Sequence, residues 1–116
     1  MSSATIATYC ATIFVAGSIE TAKQVIRERA YAEGQCVTVT PTTFIYTGGE
    51  EDGTAIGLVA YPRFPRTDRE IFDSARHLAL ALLPKLNQRS ALIVAGDITE
   101  WISITPPGGR ESGVPK

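Results

Sequence analysis

Histidine, tryptophan and methionine each occur once in this 116-residue chain, and cysteine only twice. With His77 as the sole histidine, histidine pairs and most zinc sites are removed from contention. Cys10 and Cys36 make neither a disulfide framework nor a metal quartet, and neither has a Lys, Arg or His beside it to lower a thiol pKa. Both lie in β-type runs and are expected as small buried apolar groups. No sign of charge dominates: 11 Lys and Arg face 12 Asp and Glu, for a net charge of −1. Nothing electrostatic therefore favours nucleic acid or an anionic membrane as a partner. No apolar stretch approaches the ~20 residues needed to span a bilayer. The opening Met1-Ser2-Ser3-Ala4-Thr5 lacks the basic start of a secretory signal. The expectation is a cytoplasmic protein with free thiols, no cofactor and no metal.

The length fits one domain, which buries roughly 65% of the surface its unfolded chain exposes. A hydrophobic fraction of 44% and a charged fraction of 20% fit an ordinary globular core. The division read from composition is a domain over 1–105 and a Pro-, Gly- and charge-rich flexible tail over 106–116.

Local patterns give the element order. Thr5 to Ala16 is dense in β-branched and aromatic residues and predicts a strand. Ser18 is a good helix N-cap, and Ile19, Ala22, Val25, Ile26 and Ala30 recur at helical spacing before Gly34. Cys36–Thr40 and Thr43–Thr47 form a β run interrupted by Pro41, which marks an edge strand or a bulge. Gly48 to Gly53 reads as a hairpin loop leading to a strand over Thr54–Tyr61, a register that sets Gly57 opposite Phe44. Thr67-Asp68-Arg69-Glu70 is a capping box, followed by the stripe Ile71, Ala75, Leu78 and Leu82 up to Pro84. Ser90–Ala95 is a strand, and Glu100–Ile104 is allowed as one further short strand.

That order predicts an α+β, ferredoxin-like βαββαβ sandwich, with two helices on one face of an antiparallel sheet. The other face would carry Ala, Val, Thr and Tyr and invites a homodimer through the sheet or its edges.

Few residues offer themselves as a site. Arg63, Arg66 and Arg69, with Phe64 between them, cluster at the start of the second helix, where guanidinium groups and helix amides suit phosphate or an acidic partner. Glu50, Glu51 and Asp52 put three carboxylates at the expected loop tip, where consecutive side chains diverge too much to hold a divalent ion. These seven residues are the expected partner-binding set. His77 falls at the flank of its helix with no partner to make it a general base, and Trp101 is expected to close the core. Gly48-Gly49 starts no phosphate loop. The strand Thr54–Tyr61 lacks the basic-aromatic motif of RNA-recognition domains, and Phe14–Ser18 lacks the arginine an acylphosphatase needs. ACT-type and CutA-like domains share the element order alone.

Three stretches, Ala11–Gly17, Pro41–Glu51 and Tyr61–Pro65, resemble the short accessory proteins of tailed bacteriophages. The resemblance implies a non-catalytic protein-binding module that antagonises a bacterial defence system such as CRISPR. Two alternatives stay open. One is a small-ligand or nucleotide-binding regulatory domain using Arg63, Arg66 and Arg69. The other is a small enzyme with a site at a dimer interface, since one copy offers few polar groups.

Overall fold

The computed structural model describes residues 2–33, 36–60 and 66–104, with side chains outside 30–33. Arg63, Phe64, Gly34 and the tail over 106–116 lie outside the described residues.

The elements are β1 (Cys10–Ala16), α1 (Ile19–Glu33), β2 (Val37–Tyr46), β3 (Gly49–Val59), α2 (Asp68–Lys85), β4 (Ser90–Ala95) and β5 (Ile98–Ser103). The strands form one sheet in the order β2-β3-β1-β4-β5, and every neighbouring pair is antiparallel. This is an α+β architecture with a five-stranded antiparallel sheet and two helices, consistent with a ferredoxin-like arrangement extended by β5.

Strand periodicity decides which side chains meet the helices. Ala11, Ile13 and Val15 of β1 alternate into the core with Ile56 and Leu58 of β3 and with Ala91, Ile93 and Ala95 of β4. They pack against Ala22, Val25 and Ile26 of α1 and Ile71, Ala75, Leu78, Leu82 and Leu83 of α2, and Ile13, Ile56, Leu82, Leu83 and Ile93 are fully buried. The apolar stripes read from the sequence are the stripes that face the sheet.

Both helix starts are built as their capping residues dictate. The Ser18 hydroxyl accepts from Thr21 N at 3.3 Å. Thr67 closes the capping box, its hydroxyl accepting from Glu70 N at 3.0 Å while its own N–H donates to the Glu70 carboxylate at 2.8 Å. Pro84 sits in the last turn of α2, and the helix ends one residue later in a Schellman turn. Asn87 takes the left-handed position there, with φ of 57°, and Gln88 N reaches back to the Leu83 carbonyl at 2.9 Å.

Several local expectations are corrected. β1 begins at Cys10 rather than Thr5, because its pairing with β3 starts at Cys10↔Val59 and its pairing with β4 at Ala11↔Ala95, and the last cross-strand bond is the one from Ala60 N to the Tyr9 carbonyl. The β2–β3 connection is a two-residue turn, Thr47–Gly48, with φ of 91° at Gly48, not a loop over 48–53. Glu50, Glu51 and Asp52 are therefore strand residues opposite Ile45, Phe44 and Thr43. Continuous pairing with β2 overrides the poor strand propensity of Gly, Glu and Asp. Gly57 faces Thr38, and the glycine under the Phe44 ring is Gly53. Pro41 lies on the edge strand β2 in an unbroken register, without a bulge.

Cys10 and Cys36 are both exposed rather than buried, since Cys10 is the first residue of β1 and Cys36 lies just before β2. β3 lies between β1 and β2, which keeps the two thiols apart. Trp101 does not close the core. It is 37% exposed on the face away from the helices, in a row with Phe14 and Leu92.

Candidate functional site

The sequence Gly17-Ser18 turns β1 directly into α1. Gly17 has φ of 120°, and a Cβ placed there would stand 3.1 Å from Leu86 Cβ. Glycine thus satisfies both the backbone conformation and the close approach of α2's C-terminal end. From this corner the Gly17 N–H donates to the Asp52 carbonyl at 3.1 Å, fastening the start of α1 to β3.

The same corner is concave. Gly17, Ser18 and Ile19 form one wall, Pro41, Thr42 and Thr43 of β2 a second, and Asp52 and Gly53 of β3 the floor of a half-open cleft of ≈ 380 Å³. That volume is at the lower end of the roughly 300–1,000 Å³ typical of small-molecule sites. Gly53 is part of its construction. A Cβ there would overlap the Phe44 ring and come 2.6 Å from the Val15 carbonyl oxygen, so only glycine lets the ring lie on the strand.

The polar equipment of the cleft is of two kinds. In the first turn of α1 the Thr21 N–H is taken by the Ser18 hydroxyl, which leaves the Ile19 and Glu20 N–H groups at the positive end of the helix dipole. Asp52 supplies the one carboxylate of the lining, and the hydroxyls of Ser18, Thr42 and Thr43 lie between. Amide donors and a carboxylate within one cleft suit a ligand bearing both an anionic and a cationic group. Ile19 and Pro41 give the remaining surface an apolar character.

The expected site residues fall elsewhere or are dispersed. Arg66 is half-buried and donates to the Ser74 hydroxyl at 2.7 Å, turning back onto α2. Arg69 is exposed and pairs with Asp73 one turn along, at 3.4 Å. Both guanidinium groups are thus engaged by α2 itself. Glu50 and Glu51 are exposed near the end of the hairpin, and of the three carboxylates only Asp52 joins the cleft. His77 is exposed on α2. Among the described residues, no group of three or more His, Cys, Asp or Glu is placed to hold a metal ion.

One further polar contact ties α2 to the sheet. Arg76 of α2 bonds to the Glu100 carboxylate of β5 in a half-buried ion pair, and the second carboxylate oxygen, Oε1, is buried without a partner. Tyr9 packs at the edge of the core beside Gly96. Burial raises its phenol above the ordinary 10.0, and the Asp68 carboxylate and Cys10 thiol push the same way.

No protein-family model and no curated protein matches the chain. Two solved structures share its fold. One is a phage SAM lyase in the apo state, at a TM-score of 0.67 and 16% identity, covering 82% of this chain and 88% of that one. The other is a phage SAM lyase in complex with S-methyl-5'-thioadenosine, at a TM-score of 0.66 and 14% identity, covering 83% and 89%.

Both neighbours are phage proteins, as the resemblance in the sequence anticipates. The role drawn from that resemblance is corrected. The resemblance implies a non-catalytic protein-binding module and an inhibitor of a defence system such as CRISPR, but the same sheet and helices occur in an enzyme, so the fold does not argue against catalysis. Among the described residues, no helix is long and apolar enough to cross a membrane.

Sequence reasoning missed the cleft. It identified Ser18 only as a helix cap and read Pro41, Thr42 and Thr43 only as strand. The available signal was Gly-Ser at the strand-to-helix turn, where a helix start meets a polar stretch of chain.

Proposed function

We propose that this chain is a small enzyme acting on S-adenosylmethionine (SAM) or a close sulfonium analogue, with the cleft between the start of α1 and the β2–β3 root as its binding site. The observation that carries this reading is the shared architecture: over four-fifths of the chain follows the fold of the phage SAM lyases, at TM-scores of 0.67 and 0.66.

The chemistry of the cleft agrees with such a substrate. SAM carries a sulfonium, an ammonium and a carboxylate. The α1 amides are suited to the carboxylate, and the Asp52 carboxylate to the ammonium through a charge-assisted hydrogen bond. The sulfonium then lies against the less polar part of the lining, Ile19 and Pro41.

S-methyl-5'-thioadenosine keeps the methyl and adenosyl groups of SAM and lacks the aminocarboxypropyl chain. Its release breaks the bond between sulfur and the γ-carbon of that chain. The bonding pair goes to sulfur, which leaves as a neutral thioether and needs no proton. The γ-carbon completes its valence by bonding to an oxygen of the substrate's own carboxylate, which closes a lactone, so atoms and charges balance without a base or a co-reactant. Because the sulfonium charge disappears in this step, weakly polar surroundings favour the transition state over the ground state. A cleft with one carboxylate is sufficient equipment.

Calorimetric titration of the full chain with SAM and with S-methyl-5'-thioadenosine tests the site. Saturable binding of both is expected, with SAM affinity reduced roughly tenfold or more in Asp52→Asn, the loss of a charge-assisted hydrogen bond. Absence of binding by either compound contradicts the proposal, as does unchanged affinity in the variant.

A further inference from the structure

The β2–β3 hairpin outruns the sheet that supports it. β1 pairs with β3 only as far as Ala16↔Gly53, while β2 and β3 stay paired out to Tyr46↔Gly49. Residues 43–52 therefore form a two-stranded arm projecting about 16 Å at ~3.3 Å per residue. Isolated two-stranded ribbons are marginal in water, and this one holds out Ile45, 77% exposed, and Tyr46, 55% exposed.

Charge is segregated between the arm and the rest of the chain. From Cys36 to Ala60 there are three carboxylates, Glu50, Glu51 and Asp52, and no Lys, Arg or His. All 11 Lys and Arg lie outside that stretch, against the other nine of the 12 carboxylates. The end of the body from which the arm springs is cationic. There Lys85 closes α2 and Arg89 precedes β4, both exposed, on either side of the Leu86 that abuts Gly17. Among the described residues neither cation has an ion-pair partner, and neither do Glu50 and Glu51. Beside Arg89 lies exposed apolar surface: Ile104, 50% exposed and one residue past the end of β5, bonds through its N–H to the Arg89 carbonyl.

We infer that the arm is a self-association device: the arm of one copy docks on the Lys85–Arg89 end of a second copy, its carboxylates Glu50 and Glu51 against those cations and Tyr46 against Ile104. The occupant is a second copy because the chain carries both halves of the match, an anionic apolar arm and a cationic apolar shelf, each without its complement on the described part of its own body. This inference is independent of the substrate reading.

Light scattering on the full-length chain across a micromolar concentration series, at low and high salt, tests it. The mass should exceed that of the monomer and fall as salt rises. Glu50→Lys with Glu51→Lys should give a monomer, as should Lys85→Glu with Arg89→Glu, and the chain carrying all four changes should recover the oligomer. Glu50→Gln with Glu51→Gln serves where a reversal perturbs folding, judged by circular dichroism, and should shift the association at least severalfold. A monomer mass for the unaltered chain at every concentration overturns the inference. So does an oligomer that folded charge variants leave intact, or a folded four-change chain that remains monomeric.

Discussion

The Phe44 ring lies directly over the backbone of Gly53, at the root of the β2–β3 hairpin. The contact is so close that a Cβ on Gly53 would overlap the ring and stand 2.6 Å from the Val15 carbonyl oxygen. The two residues are not opposite one another in the ladder, where Phe44 faces Glu51 and Gly53 faces Thr42. The ring reaches diagonally to cover bare strand, and so fixes the floor of the cleft.

That relationship predicts a stability loss with a defined partner. Gly53→Ala should destabilise the fold by about 1–3 kcal/mol, the usual cost of forcing a methyl into filled space. Phe44→Ala added to it should recover part of the loss, because the Val15 carbonyl still obstructs the new methyl. Urea unfolding of the single and double variants checks the coupling, and strictly additive losses would contradict it.

Gly17 is constrained twice over. Gly17→Ala meets both a left-handed backbone conformation, φ of 120°, and the Leu86 side chain at 3.1 Å. A loss of about 1–3 kcal/mol is expected from the backbone strain. Thermal melting of Gly17→Ala beside Gly48→Ala separates the two causes. Gly48 has φ of 91° and nothing within 4 Å, so it bears the strain without the crowding and should cost less.

The capping box at the start of α2 is a local device with a local cost. Thr67→Ala removes the acceptor for Glu70 N and should lower stability by about 0.5–2 kcal/mol. Thr67→Ser keeps the hydroxyl and should restore most of it. Equal losses in the two variants, read from chemical denaturation, would show that the methyl group rather than the cap matters.

Tyr9 gives the fold an alkaline limit. Its phenol is held above 10.0 by burial first, then by Asp68 and Cys10. A pKa raised on folding contributes stability that is fully present below the unfolded value and is lost as pH rises through the folded one. The loss attributable to Tyr9 should therefore begin near pH 10 and be absent at neutral pH. Ultraviolet titration should show a tyrosine ionisation phase displaced above pH 10, and Tyr9→Phe should remove that phase.

Much of the fold was legible because its signals are local and repeated. The stripes Ala22, Val25, Ile26 and Ile71, Ala75, Leu78, Leu82 have one explanation, a helix face on a sheet, and Thr67 with Glu70 marks its own helix start. What misled was short and decided at a distance. The run Gly48–Gly53 has the composition of a loop, yet pairing with Tyr46 through Thr42 holds all but Gly48 in β3. Thr5–Tyr9 has the composition of a strand, yet the ladders with β3 and β4 begin only at Cys10 and Ala11. Cys10 and Trp101 read as core because of their residue types, whereas strand alternation and strand ends place them outside.

The cleft was illegible for a different reason. Gly17, Thr42 and Asp52 come from three elements that only the sheet order β2-β3-β1 brings together, and no spacing in the sequence encodes that meeting. The Arg63–Arg69 cluster drew attention because its charges are adjacent in sequence. Two of its members, Arg66 and Arg69, spend their hydrogen bonds on Ser74 and Asp73 of α2.

The central claim is that this fold acts on a sulfonium substrate in the α1 cleft. Its most direct test is incubation of the purified full-length chain with SAM, followed by mass spectrometry for S-methyl-5'-thioadenosine. The account predicts enzyme-dependent release of that thioether, together with the four-carbon fragment as its lactone or hydrolysed acid, at a rate at least tenfold lower in Asp52→Asn. SAM recovered intact after prolonged incubation with folded protein would contradict it.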